Sequence, residues 1–146
     1  MTLYVDDLEI QLLFTPGHTS GEIAVFVPER GVLFASDNLF VDHLIWWQDA
    51  NPHACLDSLD RLKGLDVEWI VPGHGPCCKK DMLGKMEEQT REVLSRVQVA
   101  IKAGMTEDEL WSILHKTNIE HGGEWVECRI LSSGERTNPW MQESSN

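Results

Sequence analysis

Apolar and polar positions alternate through Leu8–Phe14, with Leu8, Ile10 and Leu12 separated by Glu9 and Gln11. A period of two marks a strand, and this apolar face is expected to be its buried one. Leu3 to Val5 reads as a preceding strand that turns at Asp6-Asp7. Glu22 to Val27 and Val32 to Ala35 are two more, joined by Pro28-Glu29-Arg30-Gly31, a turn with glycine where positive φ is needed. Val67 to Val71 is a fifth. The period changes at Leu56, Leu59 and Leu62, the buried stripe of a helix. Asn51-Pro52 opens that helix with a cap and a first-turn proline, and Gly64 lies near its end. A longer helix is expected from about Asp81 to Ala103, with Met82, Met86, Val93, Leu94, Val97 and Ile101 on its apolar face and Gly104 stopping it. Thr106 with Glu109 forms a capping box for a short helix carrying Leu110, Trp111 and Leu114. Strands interleaved with helices in this order point to helices packed on a sheet.

The chain has 146 residues, room for one domain or part of a larger one. Its net charge of −12 opposes nucleic acid, which needs a basic face, and an anionic membrane surface. No apolar run reaches transmembrane length, and no signal-peptide pattern follows Met1. Cys55, Cys77, Cys78 and Cys128 make no Cys-x-x-Cys pair, so reduced thiols in a cytoplasmic protein are expected.

The candidate chemistry lies where apolar strands meet Pro-Gly turns. Thr15-Pro16-Gly17-His18-Thr19 and Val71-Pro72-Gly73-His74-Gly75 each deliver a histidine, and Ser36-Asp37-Asn38 closes the hairpin between them. Imidazole and carboxylate are ligands for zinc, iron or manganese, and an aspartate can bridge two ions. Each residue also has a plainer reading: a polar turn for the histidines, a turn or helix cap for Asp37. His43, Trp46 and Trp47, in the loop after Asp37, are candidates for a substrate pocket. Cys77-Cys78 is expected to pack, and His115 and His121 to lie on the surface.

Together and in this order, these three motifs resemble the later metal motifs of the metallo-β-lactamase-fold hydrolases. The likeness is closer to the glyoxalase II type, which has aspartate at the second position. It extends over about Met1 to Gly104. The fold class it implies is α+β: the C-terminal half of an αββα sandwich, followed by C-terminal helices. The organisation is then a partial domain over residues 1–104, a C-terminal helix over 105–118 and an irregular or disordered tail over 119–146. The resemblance also implies that His18 binds one metal, Asp37 bridges both and helps orient the nucleophile, and His74 binds the other. Two zinc ions would occupy the intact site, with iron or manganese as alternatives.

One feature departs from the family. Its earlier signature, His-x-His-x-Asp-His, supplies four further ligands ahead of the position of His18, and no histidine precedes His18 here. Asp42-His43 echoes that signature only in the wrong loop. The chain therefore reads as a truncated form holding three of seven ligand positions. For the intact site the resemblance implies hydrolysis of a small-molecule thioester, ester or lactone by a metal-bound hydroxide, and activity of this chain alone is not expected. Its expected partner is a complementing N-terminal half or a second copy. The alternative is a non-catalytic remnant that binds a partner through its sheet.

Overall fold

The computed structural model describes residues 1–41 and 50–121. Five strands form one sheet in sequence order: β1 (Thr2–Val5), β2 (Leu8–Phe14), β3 (Ile23–Val27), β4 (Val32–Phe40) and β5 (Trp69–His74). The first four are antiparallel neighbours, and β5 runs parallel to β4. A parallel pair needs a crossover, here provided by the helix α1 (Pro52–Lys63). Asn51 caps α1 by accepting from the His53 and Ala54 amides, and Pro52 fills its first position, as the sequence indicated. The turn between β3 and β4 is a short 3₁₀ helix ending at Gly31, whose φ of 57° lies in the left-handed region.

Helices α1 and α2 (Asp81–Ala100) cover one face of the sheet. Ala24, Phe26, Leu33, Ala35 and Ile70 meet Leu59, Leu62, Leu83 and Met86 there in a single core. Lys63 pairs with Glu87 and ties the two helices together. α3 (Glu107–Glu120) packs on α2 with the capping box of Thr106 and Glu109 in place. Arg96 bonds Glu120, and His121 Nε2 lies 2.6 Å from Glu92 Oε2. No helix among the described residues is long and apolar enough to cross a membrane.

Several expectations need correction. The face of Leu8, Ile10 and Leu12 is not the core face: Leu13, next along β2, packs on the core and pairs with buried Ala24. Leu12 pairs instead with Val25, which pairs with exposed Phe34. Directly opposed residues share a face, so Leu12, Phe14, Ile23, Val25, Phe34 and Val71 make a second apolar face, on the side away from the helices. Phe14, Ile23, Phe34 and Trp69 are all exposed there. The pattern was strand-like as expected, but alternation alone cannot say which face is covered.

β4 does not stop at Ala35 but continues through Asp37 to Phe40 with register shifts on either side of Ser36, which has φ 56°. β5 likewise keeps His74, paired with Phe40, inside the strand. Asp37 thus sits in an irregular strand rather than at a strand end. α2 ends at Ala100, and its buried stripe is Leu83, Met86, Thr90 and Val93, whereas Ile101 is exposed. Propensity carried the expected helix further than packing supports. α3 continues to Glu120, into the stretch expected to be irregular. His121 is exposed, as expected, whereas His115 is half-buried and stacked on Trp111 at 4.9 Å. His43, Trp46, Trp47 and most of the tail lie outside the described residues.

Candidate metal centre

Both Pro-Gly-His segments, the first a turn after β2 and the second the end of β5, lie against β4, and their glycines show why. A Cβ on Gly17 would collide with Asn38 Oδ1 and come within 2.8 Å of the Cys55 Cα. A Cβ on Gly73 would collide with Asp37 Oδ1 and stand 2.7 Å from the Ser36 carbonyl oxygen. Each glycine therefore lets its turn approach the irregular part of β4 to a distance no other residue permits. The prolines fit too: Pro72 lies on an edge strand, where a missing N–H costs no ladder bond.

The result is a row of three side chains. His18 Nε2 stands 3.9 Å from Asp37 Oδ2, and His74 Nε2 stands 3.6 Å from Asp37 Oδ1. Each carboxylate oxygen faces a different imidazole. Phe40 backs the row, with its ring centroid 5.9 Å from that of His18 and 4.5 Å from that of His74. The two histidines differ in exposure, His18 at 16% of its side chain and His74 at 57%.

The first turn is fully bonded. Thr15 N donates to Glu22 O, Asn38 Nδ2 to Thr15 O, Ser58 Oγ to Pro16 O, Gly17 N to Thr19 O, Asn51 N to Gly17 O, and His18 N to Asn38 Oδ1. Beneath it lies Cys55, whose thiol is pushed up to about 12, mainly by burial and then by the charge of Glu22. Cys55, Cys77 and Cys78 are free thiols; Cys78 forms an antiparallel bridge with Ile70, and its thiol too is raised by burial.

Two imidazoles about one carboxylate form a donor set that suits zinc, iron or manganese. Two donors sharing a tetrahedral zinc lie about 3.4 Å apart, close to both observed separations. The number of donors does not suffice. Each ion would find one imidazole and one carboxylate oxygen, whereas catalytic zinc takes three protein ligands and water. Among the described residues no group of three or more His, Cys, Asp or Glu is disposed to hold an ion. The chemistry of the donors fits a metal; their count leaves the site incomplete.

Sequence reasoning placed His18, Asp37 and His74 correctly in one neighbourhood but missed Asn38, Phe40 and Ser58. The only local signal for Asn38 was its place beside Asp37, and nothing in sequence ties Ser58 to Pro16.

A mixed five-stranded sheet with helices on one face, and an imidazole–carboxylate–imidazole row along its fourth strand, defines an α+β fold with a candidate metal site. Residues 3–74, just under half of the chain, match the family model of the metallo-beta-lactamase superfamily. Beta-lactamase-like protein 2 homolog of Caenorhabditis elegans is 29% identical over 84% of this chain and 40% of its own length. A hydroxyacylglutathione hydrolase of Synechococcus is 40% identical over 39% of the chain and 23% of the enzyme. Dimethylsulfoniopropionate lyase DddP of Roseovarius nubinhibens is 58% identical over 45 residues, 30% of this chain and 10% of the lyase. Among solved structures, a metallo-beta-lactamase family protein from Thermus thermophilus superposes with a TM-score of 0.66 at 24% identity, over 84% of this chain and 44% of that one. The chain spans less than half the length of each of these relatives. Likeness to this superfamily implies a metal cofactor.

Proposed function

We propose that this chain forms one side of the two-metal centre of a metallo-beta-lactamase-fold hydrolase acting on a thioester, ester or lactone. His18 would hold one ion, His74 the other, and Asp37 would stand between them. The observation that carries this reading is the Asp37 carboxylate with one imidazole on each oxygen. Zinc is the ion we assign, with iron and manganese compatible with the same donors. When bound, such ions polarise the attacked group and activate water. The chain's own residues orient the donors: Gly17 and Gly73 allow the close approach, and Phe40 keeps the inner side of the row apolar.

The missing ligands would come from a second layer seated on the bare apolar face, either a complementing segment or a second copy. An apolar surface of this kind on a sheet is a mark of an interaction site. The match to the lyase covers too little of that enzyme to bring its reaction here. A second reading, a partner-binding module without catalysis, is favoured by the incomplete donor set taken together with the same bare face.

Elemental analysis after dialysis against metal-free buffer separates the two readings. The hydrolase reading expects tightly held ions when the chain is assembled with a polypeptide supplying the remaining donors. His18→Ala, Asp37→Ala and His74→Ala should each lower that content, while His115→Ala on α3 should not. No metal in the assembled form, or equal loss from His115→Ala, would leave only the partner-binding reading.

A further inference from the structure

We propose that Asn38 is a positioning residue whose amide spans the Pro16-Gly17 turn and sets where His18 stands relative to Asp37. Asn38 is fully buried and follows Asp37 directly on β4. Its Nδ2 donates to the Thr15 carbonyl, ahead of the turn, and its Oδ1 accepts from the His18 amide, beyond it, at 3.4 Å. Both functions of one side-chain amide are thus engaged across a four-residue span, in the way a neighbouring strand would engage them.

The other bonds given above for the turn lead elsewhere. Ser58 Oγ holds Pro16 O at 2.7 Å, and Asn51 N holds Gly17 O at 2.7 Å, which fixes the turn to α1 and its cap. Thr15 N to Glu22 O and Gly17 N to Thr19 O stay within the loop. Of these bonds, those to Asn38 run to the strand that carries Asp37. Without them the turn stays attached to the helix while its register on β4 is released.

The requirement is for an amide in particular. Thr15 O needs a donor and His18 N needs an acceptor, and only Asn offers both at this length. Aspartate would set a carboxylate oxygen against the Thr15 carbonyl, and leucine, of similar size, would leave both backbone groups buried and unmet. Gly17 is part of the same device, because the space a Cβ would occupy there is filled by Asn38 Oδ1.

The consequence for metal binding rests on the function proposed above; the clamp itself does not. The test compares Asn38→Asp and Asn38→Ser with Ser58→Ala, which removes one bond of the same turn to α1 and none to β4. In the metal-free chain, the His18 amide of the Asn38 variants should exchange about tenfold faster relative to the Leu33 and Ile70 amides. The His18 ring-proton shifts, which report the distance to Phe40, should move in both Asn38 variants and stay in place in Ser58→Ala. Zinc affinity of the assembled form should fall about tenfold in the Asn38 variants, the size of effect expected of a group that orients a ligand. Unchanged exchange and ring shifts in a folded Asn38 variant would overturn the clamp, as would equal movement of the ring in Ser58→Ala. Moved ring shifts with unaltered zinc affinity would overturn its role toward the metal. If the wild type binds no zinc, the proposed function fails, and the exchange and ring-shift results still decide the clamp.

Discussion

The two Pro-Gly-His segments, a turn after β2 and the end of β5, set the same tripeptide in opposite surroundings. The first is enclosed: Gly17 is buried, every backbone polar group from Thr15 N to His18 N has a partner, and α1 and Asn38 grip it from two sides. The second lies open: Gly73, His74 and Gly75 are exposed, and the strand pairing of His74 with Phe40 is what fixes it. One histidine is held by packing already complete in this chain, the other by an open strand edge. The difference shows that a histidine can be positioned without being enclosed, because hydrogen bonds and strand pairing orient the backbone whether or not the side chain is covered.

The sharpest way to break this comparison is to add one methyl group to each turn. Gly17→Ala should cost about 3 kcal/mol of stability by thermal or urea unfolding, since its Cβ meets the Cys55 backbone in a packed interior. Gly73→Ala should cost about 2 kcal/mol, its turn being exposed, but should displace the Asp37 carboxylate and lower the metal content of the assembled form. If Gly73→Ala were the more destabilising, the contrast between an enclosed and an open turn would be wrong. Ser58→Ala should cost about 1 kcal/mol by the same unfolding measurement, from the loss of one bond to the Pro16 carbonyl.

Acid should act on the joins between helices rather than on the first turn. Glu87 is held below its ordinary value of 4.5 first by the Lys63 hydrogen bond and then by Arg91; Glu92 is held below it by His121 and then by Arg96. A carboxylate depressed in the folded state stabilises above its unfolded pKa, and that contribution is lost as pH falls toward the folded value. Below about pH 4.5 the α1–α2 and α2–α3 joins should therefore loosen while the first turn, held by neutral groups, keeps its protection. Amide exchange on either side of that pH reads this directly, and early exchange at Gly17 or His18 would contradict it.

The smallest effect is a labelling contrast. At about pH 8 the exposed Cys77 should react readily with a thiol reagent and Cys55, with its raised pKa and full burial, should not. Because Cys55 lies against Gly17, its labelling should quicken in Gly17→Ala and stay slow in Gly73→Ala.

Much of this was legible locally. The Asn51-Pro52 cap, the Thr106–Glu109 capping box and the span of β2 follow from short-range hydrogen bonding and period. His18, Asp37 and His74 were marked by motif. What escaped was the path of β4 through Asp37, because a strand with positive φ at Ser36 follows no period. The buried stripe of α2 was found in part: Met86 and Val93 were expected, whereas Leu83 and Thr90 escaped, being selected by what they face rather than by apolarity along the chain.

By itself the sequence determined the elements, their caps and the three candidate donors, because these depend on groups a few residues apart. Only the tertiary structure decided that Leu12 looks away from the helices, that Asn38 and Ser58 grip one turn from two sides, and that Asp37 presents one oxygen to each imidazole. Those relations join residues up to 42 positions apart. They arise from the closing of the sheet and the seating of α1 upon it, which no local pattern encodes.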